Sequence, residues 1–587
     1  MIPAMSKKTF SAGGPVLLFA AGLLFLLTLA LYFPTLHFPF LNLDDSIYVT
    51  QNPHIRRITL ESLKAIFFKQ YFMPYSPLSL LSLALDYQVW HLNPFGYRIT
   101  ALLLHAANSF FAFVLISQMT RSRLAALGAV LVFAVHPAQI ESVVWISERK
   151  SLLAAFFYLP ALICYWKEKR TAALGLFVLA CLAKPNVVVM PLVLIAMDIC
   201  FPRENKIRWP RYLPFFAVSF FAALITVLGH HEQGKSVYYG GSFWVTMRVM
   251  TLVMMRYFEL VFLPLRQSLL YGFYPYASFF HPHVLISSAA LAGIAAGVWG
   301  LWRREKVLFF FVFWYFTHLL PVLNFIPFPS LMNDRYLYLP LLGIFAALFV
   351  YVRRQWGAKA FVIAAAVFVL GYSGLNLRRQ AVWGNSEKLW KEAQAETQGS
   401  YSSPHHNLGT QYLREKKYDL AIEELLKAVE IKGSPYAYSA LGSAYLGKGD
   451  AETAVSYFKK AIELKPDEAG FHNNLALFYR AQKNDAGAFE EFELATQGPA
   501  PDALFLSNFG SFLMQARRAE EAEQKFLRAL EINPDQPDAL LNLGLLYLVM
   551  RKPGEARKYW SRLLEVQPDH PRAAQMRAQL EKAAANG

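Results

Sequence analysis

Two adjacent carboxylates, Asp44 and Asp45, follow the first long apolar run of this chain, in the stretch FPFLNLDDSIYVTQNPHI. Consecutive residues of an extended loop point opposite ways, so one can face a cavity while the other binds backbone. An acidic pair also suits a plain turn. Lys184 is the second residue of note, with apolar neighbours on both sides for over a turn. Such a residue is either functional or a lysine snorkelling from a short span. Glu141, Trp145 and Arg149 would share one helix face at i, i+4 and i+8, as a site wall or an interfacial ion pair. Glu148 and Lys150 flank Arg149. His136 precedes Pro137 at the end of an apolar run, where a structural role is expected. Asp334 and Arg335 are neighbours at the start of another run, as a local salt bridge or as site groups. Cys164, Cys181 and Cys200 lie in apolar runs and read as small hydrophobes, without zinc spacing or a disulfide framework.

Apolar runs must position these residues. Of 587 residues, 55% are hydrophobic and only 17% charged, which fits a membrane protein. The average hides a division. Before about Asn376 the chain is a series of apolar runs, and from Ser402 it is water-soluble in character. Residues 401–587 hold 23 Lys+Arg against 25 Asp+Glu, and residues 1–400 hold 34 against 16. The basic excess therefore belongs to the membrane half, where short cytoplasmic loops carry cations. It does not cluster as a nucleic-acid surface would.

The first run, Pro15 to Phe33, follows Lys7 and Lys8 and lacks a small-x-small cleavage site, so a retained span with a cytoplasmic N-terminus is expected. Further spans are expected at about 98–119, 124–138, 150–166, 171–183, 186–200, 211–229, 284–302, 307–326, 335–352 and 358–375, about eleven in all. Several are short for a bilayer of about 30 Å, which suggests a cavity. The basic loops Arg121/Arg123, Lys167–Arg170, Arg203–Arg211, Arg303–Lys306 and Arg353–Lys359 then fall inside. Segment 247–264 carries Arg256 and Glu259 and is expected to be re-entrant or interfacial. The opposite loops hold nearly all the unusual polar residues of this half. An active site is expected on that outer side, together with the C-terminal part of the chain.

That part is repetitive. Small residues recur at Gly409, Gly442, Ala476, Gly510 and Gly544, spaced by 33, 34, 34 and 34 residues. Alanine recurs at Ala421, Ala454, Ala488, Ala522 and Ala556, and prolines close repeats at Pro466, Pro534 and Pro568. This is the tetratricopeptide pattern. Gly or Ala lets two antiparallel helices approach, and Phe458, Phe492, Phe526 and Trp560 fill the next layer. Five repeats form a superhelix with a concave face, a peptide-binding or scaffolding surface that names no chemistry.

Taken in order, the stretches LNLDDSIYVTQNPHI, PLSLLSLALDYQVWHLNPFGYRITALLLHAANS, HPAQIESVVWISERKSLLAAFF, LAKPNVVVMPLVLIAMDI and NDRYLYLP resemble the GT-C glycosyltransferases. The likeness is to bacterial membrane proteins with C-terminal tetratricopeptide repeats related to the TMTC protein O-mannosyltransferases. It implies a polyprenyl-phosphate sugar donor, mannose-like hexose favoured, and a hydroxyl acceptor on the outer side. By that analogy Asp44, and next Asp45, takes the acceptor's proton, and one base attacking from one face implies inversion. Lys184, Arg149, Lys150, Arg335 and His136 are the candidates for neutralising the leaving phosphate. Glu141, Trp145, Glu148, Asn186, Asp334 and Tyr336 would form the site wall. Some members of the wider fold use a divalent cation, but no trusted ligand spacing is present, and metal-independent transfer is expected.

The expected architecture is all-α: a polytopic membrane helical bundle over 1–375, a linker 376–401, five repeats over 402–570, and a capping helix and tail over 571–587. The expected setting is a bacterial inner membrane with the repeats periplasmic. Expected partners are the lipid-linked donor, membrane lipid and a protein or peptide acceptor held by the repeat groove, without nucleic acid. A transferase acting on an envelope glycan or lipid, and a non-enzymatic membrane-anchored scaffold, are the alternatives.

Overall fold

A computed structural model describes residues 14–68, 75–202, 207–232, 237–328, 330–498, 501–567 and 570–585. Lys7, Lys8, Arg203 and Pro568, used above, lie outside these. Every regular element among the described residues is helical. The chain divides into two units. One holds residues 1–50 and 58–397; the other holds 51–57 and 398–587.

Four helices in the first unit are long and apolar enough to cross a membrane: Gly14–His37, Pro94–Thr120, Pro282–Arg304 and Gly357–Trp383. A fifth candidate is the bent pair Arg123–Val135 plus Pro137–Val144, which turns by 58°. Length and composition therefore fall short of the expected eleven. The expected spans at 171–183, 186–200, 211–229 and 307–326 are apolar helices of 10–17 residues. Segment 247–264, expected to be re-entrant or interfacial, is helical without a break as far as Phe262, in helix Phe243–Phe262.

The bend at 136–148 decides where the site groups go. Pro137 has no N–H to continue the ladder. The His136 imidazole instead accepts from the Ala138 N–H at 3.1 Å, starting a tight turn at Pro137–Gln139. The short helix Ile140–Val144 stops at Trp145, whose backbone is extended, and the chain resumes as Arg149–Trp166. Glu141, Trp145 and Arg149 therefore do not share a helix face. Non-helical backbone of this kind is tolerated inside a bundle because protein surrounds it, and every residue from 132 to 155 is buried.

Helix Gly357–Trp383 packs on this connector and on the first helix. Asn376 Nδ2 donates to Tyr32 Oη at 3.0 Å and to the Val135 carbonyl at 3.1 Å. Gln380 Nε2 donates to the Leu31 carbonyl at 2.9 Å. The stretch expected to be a linker is structured. Helix Ser386–Glu396 is tied to the first loop by Ser386 Oγ, which accepts from the Asn42 N–H at 3.2 Å, and by Trp390 Nε1, which donates to the Asn42 carbonyl at 3.3 Å.

The second unit is a run of helix pairs from Ser402–Arg414 and Tyr418–Ile431 to Pro537–Val549 and Pro553–Val566, followed by helix Ala573–Ala585. The small residues, expected to let backbones approach, make room here for rings of the second helix. A Cβ at Gly442 would lie 2.6 Å from the Phe458 ring, at Gly510 2.7 Å from Phe526, and at Gly544 against Trp560 Nε1. The aromatic ring of each second helix occupies the space the glycine leaves. Pro435 and Pro537 start first helices, where a missing N–H costs nothing.

Candidate active site

Asp45 joins the first loop to the bent connector. Its buried Oδ1 accepts from the Ser147 N–H at 3.1 Å and the Ser147 hydroxyl at 2.6 Å, while Oδ2 accepts from the Leu41 N–H at 3.0 Å. Arg98, buried near the start of helix Pro94–Thr120, works alongside. It donates to the carbonyls of Phe38 at 3.3 Å and Pro39 at 2.7 Å, and to that of Val144. Burial pushes the Asp45 carboxyl above the usual range, opposed by its hydrogen bonds and by the Arg98 charge. With both oxygens engaged, Asp45 holds the loop in shape.

Asp44 is placed differently. It is half-buried, and its backbone carbonyl accepts from Ile47 and Tyr48 N–H at 3.0 and 2.9 Å. Its carboxylate makes none of the hydrogen bonds found among the described residues. Its charge acts on Lys150, whose Nζ lies 4.9 Å from the Tyr48 ring. Asp44 is thus the member of the pair left available to a ligand.

Beside this loop, three cations converge on Glu148. Lys184 Nζ donates to Glu148 Oε1, and also to Ser151 Oγ at 2.7 Å. Ser151 Oγ donates to the same carboxylate oxygen at 2.5 Å. Lys150 Nζ and Arg335 Nε each stand 3.6 Å from Oε2. Lys184 reaches the cluster because it precedes Pro185, which forces it out of helix Arg170–Ala183 into extended backbone. Arg335 is aimed by Glu141, which accepts its N–H at 2.9 Å and pairs with its guanidinium. That guanidinium lies 5.3 Å from both the Trp145 and the Tyr336 rings.

The electrostatics follow from burial and from three cations facing one carboxylate. Burial alone would raise the Glu148 carboxyl, but the charges of Lys184, Lys150 and Arg335 outweigh it and hold the group at about 2. Burial draws Lys184 down to about 8, with Lys150 and Arg335 adding to the effect and Glu148 opposing it. A small pocket with room for about one water borders the cluster, lined among others by Ser151, Asn186, His318, Arg335, Tyr336 and Tyr338. Convergent cations beside a pocket offer fixed positive charge to an anion.

Three expected site residues make their contacts elsewhere. Arg149 is wholly buried and pairs with Asp86, a carboxylate that also accepts from Thr100 Oγ1 at 2.8 Å. His136 is neutral by geometry, because Nδ1 accepts from Ala138 and Nε2 faces the Val261 carbonyl at 3.1 Å. Asp334 does not pair with Arg335. It accepts from Tyr271 Oη at 2.5 Å and Gln267 Nε2 at 2.7 Å, and burial with the Glu141 charge raises it to about 7. Lys184, Lys150, Arg335, Glu141, Glu148, Trp145, Asn186 and Tyr336 do come together. Arg98, Ser147 and Ser151 join them unforeseen. Arg98 carries a signal in hindsight, since it is a cation opening a long apolar run. No group of three or more His, Cys, Asp or Glu side chains is arranged to hold a metal among the described residues.

Comparison with known proteins bears chiefly on the second unit. Tetratricopeptide-repeat family models match residues 403–435, 439–503 and 513–580. The carboxyl-terminal unit is a tetratricopeptide array. Over 93 residues the chain is 37% identical to the type IV pilus assembly protein PilF of Pseudomonas aeruginosa, covering 16% of this chain and 37% of that protein. It is 30% identical over 139 residues to the protein O-mannosyl-transferase Tmtc1 of Drosophila melanogaster, covering 22% of this chain and 16% of the relative. Against the protein O-mannosyl-transferase TMTC3 of Mus musculus it is 33% identical over 95 residues, 16% of this chain and 10% of the relative. The chain thus spans less than two fifths of the length of each. The solved structure of P. aeruginosa PilF matches at 24% identity with a TM-score of 0.29, covering 31% of this chain and 84% of that one.

Proposed function

We propose that this protein is a membrane glycosyltransferase that moves a hexose from a polyprenyl-phosphate donor to a hydroxyl acceptor, favouring Ser or Thr of proteins, with inversion. The observation that carries this reading is the convergence of Lys184, Lys150 and Arg335 beside the loop that leaves the Asp44 carboxylate free of hydrogen bonds. In this reading the C1–O bond to phosphate breaks, and the departing phosphate is stabilised by the three cations. Asp44 takes the acceptor's proton as its oxygen bonds to C1. Asp45, Arg98 and Ser147 hold the loop, and Glu141 aims Arg335. Arg149 and His136 drop out of the phosphate set because their partners are elsewhere. The shorter apolar helices, together with Arg149–Trp166 and Pro340–Gln355, complete about eleven crossings, with the loops of the cluster and the repeats outside the cytoplasm. The repeats present the acceptor, consistent with the general use of such arrays as peptide-binding surfaces.

The test is transfer of label from a lipid-linked sugar in membranes holding wild type or Asp44→Asn. Loss of transfer with normal insertion supports the reading; full activity in Asp44→Asn removes the catalytic role. Label in a glycan or lipid fraction instead of protein redirects the acceptor. The second reading, a membrane-anchored scaffold, is favoured by matches that fall on the repeats. It requires that the repeat unit on any single span rescue a deletion strain.

A further inference from the structure

Glu148 sits where an anion would be expected to sit. Three cations surround it, it is buried, and only one of its oxygens is hydrogen-bonded. The other oxygen, Oε2, faces Lys150 and Arg335 at 3.6 Å, beyond hydrogen-bond reach. Resident charge is already balanced: Lys150, Lys184 and Arg335 stand against Glu148, Glu141 and Asp44. A phosphodiester entering here brings one more negative charge into a site with little water to screen it. Two anions sharing one set of cations raise the proton affinity of the weaker acid, and Glu148, held at about 2 only because those cations outweigh its burial, rises once they turn to the phosphate.

We propose that Glu148 is the resident counter-anion of the cluster and takes up a proton from bulk when a phosphodiester binds, releasing Lys184 and Arg335 to the phosphate. This rests on the reading of the cluster as the donor-phosphate site. The proton goes to Oε2, the oxygen that accepts no hydrogen bond. No other bond forms or breaks, and the net charge of the site is unchanged by binding.

Other groups facing Glu148 are placed less well for that proton. From the first loop, Asp45 has both oxygens engaged, Tyr48 is already protonated, and Asp44 is half-exposed beside Lys150. On its own turn, Arg149 is directed to Asp86. From the turn Asp334–Leu337 come Arg335 and Tyr336, and Asp334 accepts from Tyr271 and Gln267. Glu141 is bound twice by Arg335. Asp334 is the nearest rival, since it already binds its proton near neutrality.

The experiment is calorimetric titration of the full-length protein in nanodiscs with geranyl methyl phosphate, a diester with one fixed charge. Runs at each pH use two buffers of different ionisation enthalpy, which yields protons bound per ligand. Wild type is expected to take up close to one proton, with affinity falling about tenfold per pH unit where uptake is complete. Glu148→Gln is expected to take up none, bind more tightly at pH 7.5 and lose the pH dependence, while Asp334→Asn keeps the wild-type uptake. Binding by wild type with no proton uptake overturns the proposal and leaves the phosphate site standing. Uptake that survives in Glu148→Gln and vanishes in Asp334→Asn overturns it in favour of Asp334. No binding by wild type removes the phosphate site and the proposal together. The wild-type proton count needs no variant to fold.

Discussion

Asparagine at 44 and at 45 should do opposite things, although the two residues are neighbours and the change removes one charge in each case. At Asp45 both oxygens accept: two bonds at Oδ1 from Ser147 and one at Oδ2 from Leu41. An amide that keeps its oxygen at Oδ1 turns an NH2 toward the Leu41 N–H, donor against donor. One bond to a charged acceptor is lost, worth about 1.5–3 kcal/mol, and a buried N–H is left unsatisfied. Arg98 also loses the nearby charge. The total is about 2–4 kcal/mol against the folded first unit. At Asp44 no hydrogen bond is given up and the carboxylate is half-exposed, so the cost is within about 0.5 kcal/mol. Thermal unfolding of the two variants in one detergent, beside transfer from labelled lipid-linked sugar, separates them. Asp45→Asn should melt early and keep activity in proportion to folded protein. Asp44→Asn should melt with wild type and transfer nothing. Equal melting temperatures for wild type and Asp45→Asn, or early melting of Asp44→Asn, would refute this division of roles.

Further outcomes follow from the same geometry. Arg149→Gln leaves Asp86 buried without its partner, at about 3–5 kcal/mol, and should reduce the yield of folded protein. Arg335→Gln leaves the buried Glu141 without its guanidinium at a comparable cost, so its weaker donor binding, read as a raised KM, is measured on the folded fraction. In the repeats, Gly544→Ala drives a methyl into Trp560 and should cost about 1–3 kcal/mol, seen as faster hydrogen exchange across 537–566. His472 Nδ1 lies 2.7 Å from Glu491, whose hydrogen bond raises the imidazole pKa. Its contribution is complete below the unfolded value of about 6.5 and fades as pH rises through the folded one. Exchange protection of helix Ala469–Ala481 should therefore fall on going from pH 6 to pH 8, and the dependence should vanish in His472→Gln.

The two units were not equally legible. The repeats announce themselves because each glycine and each large ring recurs at nearly constant spacing, and packing within a pair is local. Lys184 stood out because a lysine among apolar residues has few benign explanations. Its partner was read only as part of a wall. Glu148 lies 36 positions away, and Glu141 lies 194 positions from Arg335, distances over which periodicity carries no information. The helical face drawn through Glu141, Trp145 and Arg149 failed for a local reason. The break at Trp145 carries no proline or glycine, and buried contacts around the bend impose it. The separate fates of Asp44 and Asp45 depend on Ser147, 102 positions downstream of Asp45.

The bonds from Asn376 and Gln380 to Tyr32, Leu31 and Val135 carry a consequence for biosynthesis. Every residue of the cation cluster has left the ribosome by Tyr336, yet the helix that ties the first helix to the bent connector is made afterwards. Until Asn376 emerges, the Val135 carbonyl at the bend lacks its donor, in surroundings where an unmet backbone group is costly. The first unit is therefore held in an unfinished state until helix Gly357–Trp383 is made. A chain terminated just before it would hold every residue of the cation cluster and still leave the bend without its last donor.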